Sequence, residues 1–387
     1  MHVRVAVVGI GAMGLGIIRT LQKINDIEIV AIADKNPEAL VKLQSVLPSD
    51  TLITTNPSKI LEKQPDILID ATPAILESAV LIMRALEQKI NVILMNSEVD
   101  QLLGRLLAKK AEENSVILTS DAGDQYGVLA RLIDDVRLMG AEIIMAGNNK
   151  GFLDRHATPF SIRNEAAKRR LSVNQCVAYT DGTKLAIEMA IIGNAENLGL
   201  LGNYMTGPRL GNLFDTLSVF DLDLARKTGG VVDYVLGANP GGSVFVIGYL
   251  EDPEDQFYMD YYKMGKGPYY LFIRPYHLCS FETPIAIRDI VEFNKSILIQ
   301  DRRVLEVCAY AKTNLQSGTK LDGIGGYHLY GMLEKPGGLP IGLADRAILM
   351  KSKKKDEPVK WEDVKIPEDD PLLALWKDQI ALELSSK

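Results

Sequence analysis

The chain has 387 residues, of which 47% are hydrophobic and 24% are charged, and its formal net charge is −7 at pH 7. A single hydrophobic core rarely grows beyond about 250–300 residues, so this length predicts two or three domains. A net-negative body has no general attraction for nucleic acid or for acidic membranes. We therefore expect a small-molecule substrate, and neither nucleic acid nor a membrane as a partner.

The three cysteines, Cys176, Cys279 and Cys308, are scattered along the chain. Their spacing fits neither a metal site nor a disulfide framework, which predicts ordinary core thiols in a reducing compartment. The first predicted strand begins at Val3 and leaves no room for a signal peptide, and no apolar run reaches the roughly 18 residues of a membrane-spanning helix. The sequence thus predicts a soluble, cytoplasmic protein.

Residues 1–148 alternate short β-branched runs with helical stretches. Runs that are apolar on both faces are typical of parallel strands buried between helices. Strands are predicted at VRVAVVG, IEIVAIAD, DILIDAT, NVILMN, SVILTS and AEIIMAG, and helices over 13–23, 37–47, 76–87, 101–113 and 126–139. Repeated β-α units of this kind predict an α/β fold with a doubly wound, parallel Rossmann sheet.

The turn after the first predicted strand reads GIGAMG and matches the dinucleotide-binding pattern G-x-G-x-x-G. Gly9 permits the tight turn, Gly11 leaves space for a pyrophosphate, and Gly14 lets the next helix pack closely on the strand. Backbone N–H groups at the start of that helix would face the diphosphate. The predicted cofactor-binding loop therefore consists of Gly9, Ile10, Gly11, Ala12, Met13 and Gly14.

An acidic residue at the end of the second strand bears on the choice between NAD and NADP. Asp34 follows Gly14 by 20 residues, where a carboxylate accepts hydrogen bonds from the adenosine ribose and repels a 2′-phosphate. Lys35 beside it could partly neutralise such a phosphate. We expect NAD or NADP as cofactor, with NAD favoured.

Polar residues also follow the later strands of the predicted sheet. Ligands of open α/β sheets bind beyond the carboxyl ends of the strands. Thr72, Asn96 and Glu98 should therefore reach the nicotinamide, although plain loop chemistry explains them equally well. Asp124, in the segment SDAGDQYG, is a candidate catalytic residue at the same edge.

Residues 149–387 do not continue the alternation of strands and helices. Residues 149–300 are predicted as an α+β substrate domain, with helices near 160–170 and 182–195 and strands at VVDYVLGA, SVFVIGYL and PYYLFIRP. Residues 301–387 are predicted as a β-rich module that ends in a short helix from about 372 to 384. The apolar faces of the middle strands, which one copy would leave uncovered, predict a two-fold homodimer.

The segment GNNKGFLDRHATP offers the first candidate substrate contacts. Lys150, just past a strand end, could donate to a carbonyl oxygen. Asn149, Arg155 and His156 could hold the substrate through its anionic group. For each of these residues an ordinary surface or capping role is the alternative.

A third polar cluster lies at the start of a mostly apolar predicted helix. Lys184 and Glu188 are four residues apart and share one helix face, with Asp181 as the N-cap. A surface ion pair would explain them, but the apolar neighbours indicate burial. Burying an ion pair costs desolvation free energy, which favours a functional role for the pair. We predict Lys184 as the catalytic lysine, held by Asp181 and Glu188. The sequence leaves open whether the protein binds a divalent metal. The candidate ligands are Glu98, Asp121, Asp124, Asp181 and Glu188.

Five segments together resemble the homoserine-dehydrogenase-like oxidoreductases that carry a C-terminal SAF domain. They are GIGAMG with Asp34, SDAGDQYG, AGNNKGFLDRHATP, TDGTKLAIEMAIIGNA and KTNLQSGTKLDGIGGYHLYGMLEKP. The resemblance covers nearly the whole chain. It implies a Rossmann domain over 1–148, a catalytic and dimerisation domain over 149–300, and a SAF (β-clip) module over 301–387. The group includes enzymes that are called 1-deoxy-D-xylulose 5-phosphate reductoisomerase-like.

The resemblance implies an NAD(P)-dependent dehydrogenase or reductase that acts on a small oxo or hydroxy compound. Lys184 or Lys150 would stabilise the developing alkoxide and donate its proton. True homoserine dehydrogenases usually carry a lysine where this chain has Asn96, Ser97 and Glu98, so homoserine itself is not the expected substrate. The alternatives are a sugar-phosphate reductoisomerase that needs a phosphate group and a metal, and a dinucleotide-sensing protein without turnover.

Overall fold

The first part of the molecule is a six-stranded parallel sheet, in a computed structural model that describes residues 2–385. The strand order β3-β2-β1-β4-β5-β6 is that of a Rossmann fold. The strands are β1 Val3–Val8, β2 Ile27–Ala33, β3 Leu52–Thr54, β4 Ile67–Asp70, β5 Asn91–Leu94 and β6 Leu118–Ser120. The inner strands are almost wholly buried because helices cover both faces, which confirms the predicted fold class.

Helices connect the strands of this sheet where the sequence predicts them. They are α1 Ala12–Leu21, α2 Pro37–Val41, α3 Leu76–Glu87, α4 Ser97–Asn114 and α5 Gln125–Leu138. The second helix ends six residues earlier than predicted, and turns replace its last part. The fourth helix begins earlier than predicted because the Asn96 side chain accepts a hydrogen bond from the Val99 N–H and caps it. The short strand β3 was not predicted.

The run AEIIMAG is not part of the Rossmann sheet, which corrects the prediction. It forms β7, Glu142–Lys150, in a second, mixed sheet of order β10-β9-β7-β8. β7 is parallel to β8 and antiparallel to β9. A run that is apolar on both faces predicts a buried strand. The strands that pair with it come from distant segments, so the local sequence pattern cannot identify them. The boundary predicted at residue 148 falls inside this strand.

The second sheet is completed by three later strands and flanked by helices. The strands are β8 Val231–Leu236, β9 Val244–Tyr249 and β10 Tyr269–Arg274. The helices are α6 Pro159–Arg169, α7 Val173–Thr180, α8 Thr183–Glu196, α9 Thr216–Val219, α10 Leu222–Lys227, α11 Pro253–Tyr261 and α12 Thr283–Phe293. Residues 183–194 of α8 are all buried, as its apolar composition predicts.

Both faces of β8 and β9 are covered within one copy of the chain, whereas β10 is only partly buried. β8 and β9 are buried except at their last residues. Side chains from the segment 213–225, among them Phe220 and Leu222, pack with Phe245 and Ile247 on one face. The uncovered sheet faces that predicted a homodimer are therefore absent from β8 and β9, because a connecting segment fills that layer.

The C-terminal part is β-rich, as predicted, and packs against α8 and α4. It contains two small antiparallel sheets, formed by β11 Glu306–Ala311 with β12 Leu329–Glu334 and by β13 Ile348–Leu349 with β14 Val364–Lys365. The last helix, α13 Pro371–Ser385, docks on α4, where Gln379 accepts a hydrogen bond from the Leu106 N–H at 3.1 Å. Within residues 2–385, no helix has both the length and the apolar content needed to cross a membrane.

Candidate active site

The glycine-rich loop has the shape that a pyrophosphate requires. Gly9 has φ +86°, and a Cβ there would lie 2.7 Å from the carbonyl carbon of Ala71. A Cβ on Gly14 would lie 1.8 Å from the Gly9 carbonyl oxygen, so only glycine lets α1 start this close to the loop. Gly11 caps α1 without any side-chain hydrogen bond, and a Cβ there would have no atom within 4 Å. The open space and the free N–H groups of the first turn fit a phosphate.

Asp34 lies directly beside this loop. Its carboxylate accepts hydrogen bonds from the Ile10 N–H at 2.6 Å and from the Asn36 N–H at 2.7 Å. An ionised carboxylate offers about four acceptor sites, so two remain for ribose hydroxyls. Lys35 is exposed. The structure thus places the predicted acid at the loop that would hold the dinucleotide.

A cleft opens where the carboxyl ends of the Rossmann strands meet helices α7 and α8. On the Rossmann side it is lined by Met13, Ala71, Thr72, Pro73, Met95, Glu98 and Asp124. On the other side it is lined by Gln175, Ala178, Tyr179, Lys184 and Cys279. The cleft is therefore shared between the two units, at the edge of the sheet where ligands of such folds bind.

Lys184 is buried at the wall of this cleft. Its Nζ donates to the Ser97 hydroxyl and lies 3.6 Å from Glu98 Oε1, both in the first turn of α4. Burial by itself lowers the pKa of this ammonium, but the nearby negative charges, Glu98 foremost, outweigh it and raise the pKa above the ordinary value. Lys184 is therefore a permanent cation at neutral pH.

Neither of the two predicted partners of Lys184 pairs with it directly. Asp181 Oδ2 lies 2.7 Å from the Nζ of Lys312 instead, and Glu188 Oε2 lies 3.7 Å from the Nζ of Lys150. Asp181 precedes the α8 cap Gly182 and is not helical with α8, so the three-residue spacing does not bring it to Lys184. Its Oδ1 does accept the first N–H of α8, at 2.9 Å.

Lys150, which is partly buried, and Glu188, which is buried, form a pair in the second unit. Lys150 also donates to Gln125 Oε1 at 3.0 Å, and the Asn148 amide donates to Glu188 at 3.3 Å. Burial raises the pKa of Glu188 to about 7, although Lys150 opposes the shift. Lys150 does not line the cleft. Of the two candidate lysines, the geometry therefore favours Lys184.

Asp124 lies in the cleft as predicted, at the N-terminus of α5. Its Oδ1 accepts the Gln125 N–H at 2.8 Å and the thiol of Cys279 at 3.8 Å. Cys279 is thus a cleft residue and not the ordinary core thiol that the sequence predicts, whereas Cys176 and Cys308 are buried. Burial raises the pKa of the Cys279 thiol well above its usual range, so it stays neutral.

Asn96 has a structural position, which corrects its predicted cofactor role. It is fully buried, and its amide donates to the Ala74 carbonyl at 2.7 Å and to the Asp70 carboxylate at 3.1 Å. These bonds join the ends of β4 and β5 and leave no donor facing the cleft. Thr72, whose hydroxyl lies 2.7 Å from that of Ser78, does line the cleft.

The predicted substrate ligands Asn149, Arg155 and His156 lie outside the cleft. Asn149 points to the opposite face of β7 from Lys150, and its amide donates to the carbonyls of Ala238 and Pro240, both at 2.8 Å. The Arg155 guanidinium contacts the sulfur of Met332 at 2.8 Å. His156 forms a surface pair with Asp356 at 2.7 Å. Asn149 diverges from Lys150 because consecutive strand residues point to opposite faces, and Arg155 and His156 lie in the loop beyond the end of β7.

The carboxylates proposed as metal ligands do not form a cluster. Within the described part of the chain, no group of three or more histidine, cysteine, aspartate or glutamate side chains is arranged to hold a metal ion. Asp181 and Glu188 are each paired with a lysine. Asp121 accepts the Gly123 N–H at 2.7 Å, and burial raises its pKa to about 6.

Two family models match successive parts of the chain. Residues 3–119 match the N-terminus of dihydrodipicolinate reductase, and residues 123–283 match the catalytic domain described as oxidoreductase DRL. The matched segments contain the glycine loop and Lys184, respectively. Both matched segments therefore correspond to domains of oxidoreductases. A comparison with curated proteins found no match.

Several solved dehydrogenases are similar to the chain at low identity. A hyperthermophilic archaeal homoserine dehydrogenase in complex with NADPH is 14% identical over 77% of this chain and 100% of that chain, with a TM-score of 0.46. Dihydrodipicolinate reductase from Paenisporosarcina sp. TG-14 is 15% identical over 78% and 96%, with a TM-score of 0.40. The WlbA dehydrogenase from Bordetella pertussis is 21% identical, with a TM-score of 0.34, and the match spans 44% of this chain and only 52% of that one.

Sequence reasoning missed several functional neighbours of Lys184. Ser97, Tyr179 and Cys279 contact Lys184 or line the cleft, and Lys312 holds Asp181. Ser97 and Lys184 are 87 residues apart in sequence. The only local signal was the position of Ser97 at a predicted strand end, since no periodic pattern links such distant residues.

The loop predicts different effects for alanine at Gly11 and at Gly14. Gly11→Ala should leave the melting temperature within about 1 °C, because the new Cβ meets no protein atom, yet weaken NAD(H) binding at least tenfold by filling the phosphate space. Gly14→Ala should lower the melting temperature, since its Cβ collides with the Gly9 carbonyl. Thermal melts and cofactor titration of both variants check this. Unchanged cofactor affinity in Gly11→Ala would contradict the assignment of the loop.

Asp34 should set the preference for NAD(H). Its carboxylate lies beside the glycine loop and should repel a 2′-phosphate, so we expect Asp34→Ser to shift the ratio of the two affinities toward NADP(H) by at least tenfold, about 1.4 kcal/mol. Titration of wild type and variant with both cofactors measures the ratio. Lys35→Ala serves as the matched control. A wild type that already prefers NADP(H) tenfold would show that Lys35 dominates.

Proposed function

We propose that the protein transfers a hydride between a nicotinamide cofactor and a small oxo or hydroxy compound, in a homoserine-dehydrogenase-like manner. The supporting observation is the buried ammonium of Lys184 in the cleft between the two units. Among the described residues that line the cleft, Lys184 is the one cation. A bound nicotinamide would supply or accept the hydride. The two matched family segments meet at this cleft.

Lys184 is suited to stabilise a negative oxygen. As hydride adds to a carbonyl carbon, the oxygen becomes an alkoxide, and a cation already held in place lowers the energy of that charge. Because an alkoxide is far more basic than an amine, Lys184 can then donate its proton even with a raised pKa. Ser97 and Glu98 hold the Nζ in place before the substrate arrives.

The charge of the cleft favours a neutral carbonyl substrate over a phosphorylated one. Glu98 and Asp124 accompany Lys184 along its walls, so two carboxylates face one ammonium. A phosphate group close to these carboxylates would be repelled. For this reason we propose simple hydride transfer ahead of a sugar-phosphate reductoisomerase. We propose NAD as the preferred cofactor because Asp34 contacts the glycine loop.

We also propose a division of labour among three parts of the chain. The Rossmann unit holds the cofactor, and the unit built on the second sheet, which starts at β7, supplies Lys184. The β-rich part after residue 300 is proposed as the SAF-like module. Its two small antiparallel sheets and the 3₁₀ turns around them support this reading.

Lys184→Met should lower turnover about 10²-fold or more, because the methionine fills the space and carries no charge to stabilise the alkoxide. The dissociation constant for NAD(H) should stay within twofold, since the glycine loop is untouched. A panel of polyols, hydroxy acids, oxo acids and sugar phosphates, followed by nicotinamide absorbance, supplies the substrate and the rate.

Lys150→Met is the control for this experiment, because it removes a partly buried cation that does not line the cleft. Turnover should fall much less in Lys150→Met than in Lys184→Met. If Lys184→Met only lowers the melting temperature and the folded enzyme keeps its rate, the proton donor is Lys150. Tight NAD(H) binding without oxidation or reduction of any compound in the panel would favour a dinucleotide-sensing role.

We propose that the protein is a two-fold homodimer, on a different basis from the sheet faces. Helix α11, which leads into the edge strand β10, has no buried residue, and Phe257, Tyr258 and Tyr261 on it are 64%, 50% and 67% exposed. Exposed aromatic patches beside an unpaired sheet edge are typical of contacts between copies.

Light scattering at micromolar concentration should therefore give twice the mass of the chain. Phe257→Glu should shift the protein to monomer, because it places a charge inside the aromatic patch. Phe160→Glu is the matched control, since Phe160 is 65% exposed on α6, outside this patch. A monomeric wild type would refute the dimer.

A further inference from the structure

Lys312, which follows β11 in the C-terminal module, is among the most deeply buried charged residues of the molecule. Its side chain is 1% exposed, and its Nζ lies 2.7 Å from Asp181 Oδ2. The same Nζ donates to the carbonyls of Ala157 at 2.8 Å and of Gly326 at 2.9 Å. An ammonium has three N–H donors, so every donor has a partner. Neither Lys312 nor Asp181 lines the cleft.

The ion pair reaches Lys184 through a short chain of contacts. Asp181 is fully buried, and its other carboxylate oxygen accepts the N–H of Thr183, the first residue of α8 and the neighbour of Lys184. Burial raises the pKa of Asp181 even though Lys312 opposes the shift. A carboxylate in this environment is costly without its ammonium partner. The position of Asp181, and with it the start of α8, therefore depends on Lys312.

A second contact joins the same module to the same helix turn. The backbone N–H of Gly331 on β12 donates to the Thr183 hydroxyl at 2.8 Å. A Cβ on Gly331 would lie 3.0 Å from the Thr183 Cγ2 and 2.6 Å from Val307, so β12 packs against this turn without free space. Both contacts fix the first turn of α8 from the C-terminal side, while Ser97 and Glu98 hold Lys184 from the Rossmann side.

We propose that Lys312 is a positioning residue for the reaction, and that the C-terminal module sets the place of the Lys184 ammonium through the Lys312–Asp181 pair. The inference rests on the proposed role of Lys184. It gives the C-terminal module a function in turnover that is separate from any partner binding. A residue that positions the helix carrying a reacting group affects turnover more than substrate or cofactor affinity. Its loss changes where the reacting group lies and not the chemistry of that group.

The test compares Lys312→Met with the double variant Lys312→Met/Asp181→Asn. The single variant leaves a buried, unpaired carboxylate and should lower both turnover and melting temperature. The double variant removes that carboxylate charge as well and should regain most of the melting temperature, yet keep a turnover at least tenfold below wild type. In both variants KM and the dissociation constant for NAD(H) should stay within about twofold.

Lys353→Met is the matched control, because Lys353 pairs with Asp363 at 2.5 Å in the same module and does not contact α8. It should lower the melting temperature and leave turnover unchanged. The proposal is overturned if the double variant turns over within twofold of wild type, or if Lys312→Met loses no more turnover than Lys353→Met. Should the single variant fail to fold, the double variant decides.

Hydrogen exchange separates this proposal from the proposed function. Amides of residues 183–187 should exchange faster in Lys312→Met than in Lys353→Met, a result that needs no substrate. Suppose that exchange is faster in Lys312→Met but Lys184→Met keeps full turnover. Lys312 then does fix the start of α8, and the proposed role of Lys184 is wrong. If exchange is unchanged in Lys312→Met while Lys184→Met loses turnover as expected, only the role of Lys312 is refuted.

Discussion

The burial of one ammonium group links the two halves of the cleft. Taking the Lys184 side chain out of water costs several kcal/mol, which a protein recovers only by placing charge and hydrogen-bond acceptors around it. The acceptors here, Ser97 and Glu98, belong to the first turn of a Rossmann helix, whereas Lys184 belongs to the second unit. The same interaction that stabilises the ammonium therefore holds α8 at the carboxyl ends of the Rossmann strands.

The same kind of interaction recurs along α8. Glu188 is paired with Lys150 of β7, and Asp181, just before the helix, is paired with Lys312 of the C-terminal module. Together with the Lys184 contact, charge pairs join α8 to each of the three parts of the chain. A helix that is buried on all sides has no water to solvate its charges, so each must find its partner on a neighbouring element. The helix thus acts as the common support of the fold and of the site.

The proposed cofactor loop and the proposed proton donor lie on separate parts of the chain. The glycine loop and Asp34 depend on backbone geometry within one β-α-β unit. The matched N-terminal segment ends at residue 119, one residue before the end of β6. The second matched segment begins at residue 123, beside Asp124, and carries Lys184. The cleft lies where these segments meet, so changes in substrate chemistry on one side need not alter dinucleotide binding on the other.

The sequence by itself determined the Rossmann unit, the glycine loop with Asp34 and the burial of α8, because each is encoded in neighbouring residues: a periodic apolar run, a turn that only glycine permits, or a residue at the end of a strand. Only the tertiary structure decided the partners. It assigned β7 to the second sheet, turned Asn149 away from Lys150, and gave Asp181 to Lys312. Local pattern states that a charge is buried, but the group that compensates it comes from a segment far away in the chain.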